Sequence, residues 1–434
     1  MTRMNWTPAI AGATLAAIVS SAALADTINV VTSFPKELTT AYKAAYEKKH
    51  PGDKVEILNK GTSAGIAYVR EQPAGSRAEI FWASAPDAFE VLAGDNLLQK
   101  VDIPSGNIPA KVGEYPINDP EGFYRGQALA GYGFMWNTRY MQAHKLPVPK
   151  EWADLTKPVY HGHVATSSPS RSGTSHLTFE TILQGEGWDG GWGQILQISG
   201  NCASITERSF GVPDGVQNGQ FGIGIVIDFF GLAAKASGFP TEFAYPSVTA
   251  IVPANIGAIA GARSPEGAKR FMQFTLSDEG QQLLLDPKIS RLPVLPATYA
   301  RAPKGYPNPY DGSIQAKVKF DSNLSKSRYF LVSSLFDQAI TFRHKELTAA
   351  AKAIQDAEKR LGGRSSPQLE EAKKLAYTVP LSEAQSQDKE LQKVFAAKKG
   401  DEAAVRRKTQ VEEEWSTKAK ANYARAVELA NSAK

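Results

Sequence analysis

Two short stretches hold the residues best placed to do chemistry. Gly61-Thr62-Ser63-Ala64-Gly65 fits G-x-S-x-G, the nucleophile elbow of serine hydrolases, and lies between the strand-like KVEIL and the helix-like IAYVREQ. Ser170-Arg171-Ser172-Gly173-Thr174 has the same small, hydroxyl-rich character at a second strand–helix junction and adds a guanidinium. As an elbow, Ser63 would attack a carbonyl. Only two strands precede it after the leader, however, and no HGGG-type oxyanion segment lies upstream. A late loop histidine is also required; His344 falls in a helix-like stretch, and His144, His161, His163 and His176 fall within a second strand–helix series. The competing chemistry needs only local parts. Free backbone N–H groups at a helix N-terminus, with the Thr62 and Ser63 hydroxyls, suit the oxygens of an anion. Plain helix capping by those hydroxyls is the simpler alternative. What favours the cradle is its recurrence at Ser170–Thr174, where Arg171 can grip phosphate or carboxylate through two parallel hydrogen bonds, unless it is merely a surface arginine.

Other polar positions fall where strands end. Ser33 and Ser84 close strand-like runs, joining Thr62 and Ser63, and ligands in open α/β sheets bind beyond the carboxyl ends of strands. Glu207 in ITERSF and Asp228 in IVIDFF sit where strand ends meet loops. Asp228 ends an apolar run, so its carboxylate requires a partner: a protein donor or the hydroxyls of a polyol. Phe34, Trp82, Phe229 and Tyr245 lie beside these loops and supply apolar walls, with Tyr245 the one assigned to the ligand. His161-Gly162-His163 has no Cys or carboxylate pattern beside it and reads as solvated or hydrogen-bonded histidines. No metal or other cofactor is expected, and no catalytic residue.

The elements that must hold these residues are legible as an alternation. TINVVTSF, DKVEILN and AEIFWAS read as strands, separated by the helices KELTTAYKAAYEKKHPG and one from about Ala64, and followed by PDAFEVLAGDNLLQ. That pattern predicts a parallel sheet under covering helices. A second series begins near residue 129, with GHVATSS, SITERSF, GIGIVIDFF and TEFAYP as short strands or strand ends. VTAIVPANIGAIAGA then returns as an apolar, β-branched stretch. SPEGAKRFMQFTLSDEGQQLLL predicts a helix capped by Ser264, started by Pro265 and stopped before Pro287. From about Leu331 the chain becomes rich in Ala, Lys and Glu at helical spacing, a helical extension with solvated charged faces.

The first 25 residues carry Arg3, an apolar run over residues 8–19 and the small-residue end Ala23-Leu24-Ala25, the pattern of a secretory leader cleaved near Ala25. The run is shorter than the roughly 20 residues a membrane span needs. Its loss removes one positive charge and lowers the formal net charge from +5 to +4. This is a mild surplus, without the basic stripe of a nucleic-acid binder. The single Cys202 excludes an internal disulfide and reads as a small buried residue.

The exported start, INVVTSF, GTSAG, SGT at the second junction and SPEGAKRFMQFTLSDEGQQLL together resemble the ABC-transporter periplasmic solute-binding proteins, in the branch of the ferric-ion-binding-like group. That branch includes binders of iron, phosphonates, hexose phosphates and phosphoglycerate, and YFLVSSLFDQAITFRHKEL is similar to the longer phosphoglycerate and sugar-phosphate binders. The resemblance implies an α/β, two-lobe periplasmic binding protein fold of type II, with ligand caught between lobes that close by hinge bending. Lobe one is then residues 26–128 plus 247–300, lobe two 129–246, and 301–434 a mostly helical extension. It also implies a small anionic ligand, an inner-membrane ABC permease and, as for some relatives, a sensor kinase as partners; a monomer is expected. The ligand contacts expected are Ser33, Thr62, Ser63 and Ser84 from lobe one. Ser170, Arg171, Ser172, Gly173, Thr174, Glu207, Asp228 and Tyr245 would face them. Ferric binders of this group present adjacent tyrosines. The corresponding stretch here reads Asp228-Phe229-Phe230, which disfavours iron. A phosphorylated organic anion leads, with ferric ion or a plain carboxylate and, from another class, a secreted serine hydrolase using Ser63 as alternatives.

Overall fold

A computed structural model describes residues 26–397 and 400–434; the leader read at residues 1–25 lies outside them. The strands are β1 (Thr27–Thr32), β2 (Lys54–Asn59), β3 (Ile80–Ala83), β4 (Leu98–Gln99), β5 (Lys111–Val112), β6 (Tyr115–Pro116), β7 (Tyr124–Asn137), β8 (Val164–Ser167), β9 (Cys202–Thr206), β10 (Ile223–Ile227), β11 (Thr241–Ala244), β12 (Ile251–Ile259) and β13 (Leu292–Pro293). Between them run the helices α1 (Lys36–Lys49), α2 (Thr62–Glu71), α3 (Pro86–Gly94), α4 (Thr138–Ala143), α5 (Gly173–Glu186), α6 (Trp188–Gly200), α7 (Gly211–Gln217), α8 (Asp228–Ala236), α9 (Pro265–Leu276) and α10 (Asp278–Leu283). The extension adds α11 (Ser322–Ala339), α12 (His344–Arg360), α13 (Pro367–Ala376), α14 (Glu383–Ser386), α15 (Lys389–Phe395) and α16 (Glu402–Ser432).

The main sheet runs β2-β1-β3-β12-β7-β10-β8-β9. β1 pairs in parallel with β2 and β3, and β8 with β9 and β10. β12 and β7 are antiparallel to their neighbours, so the sheet is mixed where the alternation predicts a parallel one. β7 is the element that the alternation does not announce. Its first half, Tyr124–Gly131, pairs with β12; its second, Tyr132–Trp136, pairs with β10. This one strand therefore joins two half-sheets. We call the half with β1–β4, β12 and β13 lobe one, and the half with β8–β11 lobe two.

Each lobe has its own apolar interior. Ile28, Val30, Tyr42, Trp82, Ile256 and Phe271 pack together in lobe one. In lobe two Phe134, Val164, Trp192 and Ile223 share a core with Leu335, Leu347, Leu369, Trp415 and Tyr423 of the extension, so α12, α13 and α16 are built onto that lobe. A third cluster lies along the seam between the lobes, where Val31, Ile66 and Phe89 meet Leu177, Ile227, Phe229 and Tyr329.

The stretch read as one helix from Pro265 to the residues before Pro287 is two. The Ser277 hydroxyl donates to the Phe274 carbonyl at 2.7 Å and accepts from the Gly280 N–H at 3.2 Å, ending α9 and capping α10. A cap of this kind contributes about 1 kcal/mol. Ser277→Ala is expected to lower the unfolding free energy by about that much in urea titration; a continuous helix would gain stability instead, since Ala is the better helix former.

Candidate functional site

The cleft between the lobes is built from loops at strand ends. Ser33, Phe34 and Pro35 follow β1, Gly61 and Thr62 open α2, and Ser84 follows β3. Arg171, Ser172 and Thr174 surround the start of α5, Arg208 and Ser209 follow β9, and Phe229 and Phe230 open α8. Arg291, just before β13, completes the lining. The space they enclose is about 20 Å³, room for a single water. Past Phe34, Pro35 and Phe230 it adjoins an open groove of about 900 Å³ that Lys36, Lys43 and Lys288 also border.

The lobes touch across this space. The Gly173 N–H donates to the Thr62 hydroxyl at 3.3 Å. A Cβ at Gly173 would lie 2.7 Å from that hydroxyl, and one at Gly61 would lie 2.8 Å from the Arg171 carbonyl oxygen. Glycine is required at both positions because the two helix N-termini approach each other there. α2 begins on Gly61, which offers no side-chain cap, so its first N–H groups face the cleft without an intrahelical partner.

Arg291 is the residue that sequence reasoning missed. It is 2 % exposed, and its guanidinium lies between two rings, 4.1 Å from the Phe34 centroid and 3.7 Å from that of Phe229. Nη1 donates to the Ser84 hydroxyl at 3.1 Å; Nη2 has no partner. Burial pulls its pKa down to about 9, against the attraction of Asp228 and nearby tyrosines, so it remains a cation at neutral pH. Ser290, in the left-handed region at φ 45°, turns the chain that delivers it. A signal was present: ISRLPVLP sets one arginine in an apolar run, the same cue that marks Asp228.

Six of the sequence-derived positions, Ser33, Thr62, Ser84, Arg171, Ser172 and Thr174, line the cavity. The other six do not, each for a stated reason. The Ser63 hydroxyl pairs with the Tyr329 phenol at 3.2 Å, with no imidazole to activate it. Ser170 shares its hydroxyl with Ser168 at 2.8 Å, and Gly173 spends its N–H on Thr62. Glu207 extends into solvent, 78 % exposed, with its carboxylate 3.6 Å from Arg171. Asp228 is fully buried and accepts from the Gly131 N–H at 2.7 Å, the Phe229 N–H at 2.7 Å and the Tyr245 hydroxyl at 2.9 Å. Both Asp228 and Tyr245 are thus occupied in fixing β7 at its change of partner. Among the walls, Trp82 lies inside the lobe-one core, T-shaped against Phe34.

Cation chemistry finds little footing. The lining holds three arginines and neither carboxylate nor phenol. His163 pairs with the Tyr140 hydroxyl at 2.9 Å and His161 with Asn201 at 3.3 Å. Among the described residues, no three His, Cys, Asp or Glu side chains are grouped to hold a metal ion, and no helix is long and apolar enough to cross a membrane.

Comparison with known proteins turns this geometry into an assignment. Residues 77–309 match the family described as bacterial extracellular solute-binding protein. The phosphoglycerate transport regulatory protein PgtC of Salmonella typhimurium is 31 % identical over 335 residues, 77 % of this chain and 81 % of that protein. The chain belongs to the extracellular solute-binding proteins. Two solved structures share the two-lobe fold of this solute-binding protein. The periplasmic binding protein AfuA from Actinobacillus pleuropneumoniae, with fructose-6-phosphate bound, aligns with TM-score 0.66 and 18 % identity over 73 % of this chain and 99 % of its own. Iron-bound HitA from Pseudomonas aeruginosa aligns with TM-score 0.57 and 17 % identity over 71 % and 98 %.

Burial holds the Asp228 carboxyl up at about 7, above its ordinary 3.8, despite the three hydrogen bonds and Arg291 that favour its ionised form. The folded state therefore binds this proton more tightly than the unfolded chain, and stability declines as pH rises from about 4 to about 7. Asp228→Asn is expected to flatten that decline in melting temperature measured between pH 4.5 and 7.5. At the lobe contact, Gly173→Ala is expected to lower the melting temperature by crowding Thr62 and Ala85, and to weaken ligand affinity, both read by calorimetry.

Proposed function

We propose that this protein is the periplasmic substrate-binding component of an ABC importer and that its ligand is a small phosphorylated organic anion: phosphoglycerate, a sugar phosphate or a phosphonate. The observation that carries this reading is Arg291, a buried guanidinium lining the cleft with Nη2 unpartnered. An unsatisfied buried donor on a charged group is costly, and phosphate oxygens offer it charge-assisted hydrogen bonds. Arg171 and Arg208 stand around the same space with the Thr62, Ser84, Ser172 and Thr174 hydroxyls, so one dianionic head could meet several donors at once. The names of PgtC and of AfuA with its fructose-6-phosphate point to the same ligand class. Three guanidiniums around the site argue against Fe(III), whose phenolate and carboxylate ligands the lining lacks.

On this reading lobe one spans residues 26–128 and 247–300, lobe two 129–246, and the remainder is the extension. The leader directs export, an inner-membrane permease receives the ligand, and a sensor kinase is a further partner consistent with the word regulatory in the relative's name. The protein works as a monomer and performs no covalent chemistry; Ser63, bonded to a phenol, is held away from the hydrolase alternative.

The test is calorimetric titration with 3-phosphoglycerate, fructose-6-phosphate, glycerate and ferric citrate. A phosphorylated compound is expected to bind and glycerate to fail. Arg291→Met should then lose roughly 10–100-fold in affinity, the worth of one charge-assisted contact, and Arg171→Ala a smaller factor. Binding by glycerate or iron with none by phosphorylated compounds would overturn the reading.

A further inference from the structure

α11 begins beyond the residues that match the family, yet it touches both lobes along its whole length. Its first half faces lobe one. The Ser325 hydroxyl donates to Asp87 of α3 at 2.8 Å, and Lys326 lies 3.6 Å from Glu90 of the same helix. Tyr329 reaches Ser63 at the start of α2, and the Phe330 ring lies 5.1 Å from the Arg70 guanidinium at the end of α2. The other side and the second half face lobe two. Arg328 donates to Glu180 of α5 at 2.7 Å, Ser333 pairs with His176 at 3.3 Å, and Asp337 accepts from the Ser168 hydroxyl at 2.7 Å. At the crossing point His176 of lobe two meets Asp87 of lobe one directly, at 3.2 Å, with both side chains fully buried. Tyr329 covers the pair, its ring 4.2 Å from the imidazole.

We propose that α11 is a clasp that holds the lobes together, so that the extension, as well as the hinge strand, sets how readily the cleft opens. The regulation this gives rests on the ligand-site reading above. Two facts make the clasp matter. The space between the lobes has room for about one water, so seating a metabolite there requires the lobes to part. The clasp also grips the two helices whose N-termini form the cleft, α2 through Tyr329 and Phe330 and α5 through Arg328 and Ser333. Parting the lobes without releasing α11 would strand buried polar groups on one side, a cost of the order of their desolvation. Because α12, α13 and α16 are packed onto lobe two, release of α11 is expected from its lobe-one contacts.

The clasp is tested on the full exported chain by pulsed spin-label distance measurement across the cleft mouth, with labels at Lys48→Cys in α1 and Asn218→Cys after α7, both exposed. The parent is expected to give one narrow distribution without any ligand. Tyr329→Phe and Lys326→Ala each remove one lobe-one contact while keeping the buried ring and helix. Each is expected to raise the population at longer distances, by roughly five-fold in the open-to-closed ratio for Tyr329→Phe, the worth of one hydrogen bond. Lys352→Ala, on the extension but paired with Asp356 of its own helix, should leave the distribution unchanged. Stopped-flow mixing with 3-phosphoglycerate should show faster association in the Tyr329 variant. Unchanged distances in both clasp variants, or equal opening in the Lys352 variant, would overturn the clasp. The distance measurement needs no ligand, so it stands or falls separately from the choice of 3-phosphoglycerate.

Discussion

A guanidinium withdrawn from water governs this molecule's cleft. Moving a cation into a protein interior costs several kcal/mol unless its donors and charge are met. Arg291 is met only in part. Two aromatic faces, one from each lobe, accept its charge, Ser84 takes one donor, and Asp228 attracts it from within lobe two. Phe34 and Phe229 belong to opposite sides of the cleft, so the stacked geometry exists only while the lobes are together. The remaining donor makes the site more favourable for an oxyanion than for water. Charge, closure and selectivity thus share one side chain.

The seam around it repeats that economy of means. Asp228 fixes the point where β7 changes partners, and its neighbour Phe229 is one of the rings on Arg291. A carboxylate expected to contact a sugar therefore serves the joint, and its attraction opposes the loss of Arg291's proton that burial favours. Behind the cleft, Asp87, His176, Ser325 and Tyr329 close the same seam with a polar cluster that is fully buried.

How much of this the sequence disclosed follows the range of the interactions. The small-residue loops were legible because strand, turn and helix lie side by side in the chain; Ser33, Thr62, Ser84, Arg171, Ser172 and Thr174 all line the cavity. Within the same loops Ser63 turns to Tyr329, one register step along a helix start carrying its side chain away from the cleft, and Gly173 is held against Thr62 through its N–H. The apolar run around Arg291 was a local cue to its burial, but its place in the cleft depends on β13 pairing with Leu129 and Ala128 of β7, which no local pattern encodes. β7 itself was missed for its pattern: YRGQALAGYGFMWN is buried along nearly its whole length, mixes glycines with large rings, and shows no polar–apolar alternation. The α9–α10 break was missed because Ser277 suits a helix surface as readily as a cap.

β12 and β13 return to lobe one after the whole of lobe two has been traced, which gives the chain a birth order. Lobe two is nearly contiguous, but its core is completed only when Leu347, Leu369, Trp415 and Tyr423 of the extension arrive. Lobe one must hold β1 to β3 unfinished until Ile251–Ile259 arrives to pair with Ile80–Ala83. Contacts so distant in sequence are slow to form. Residues 26–128 therefore spend the longest time unsheltered, and α11, which touches both halves, appears only after each has been traced.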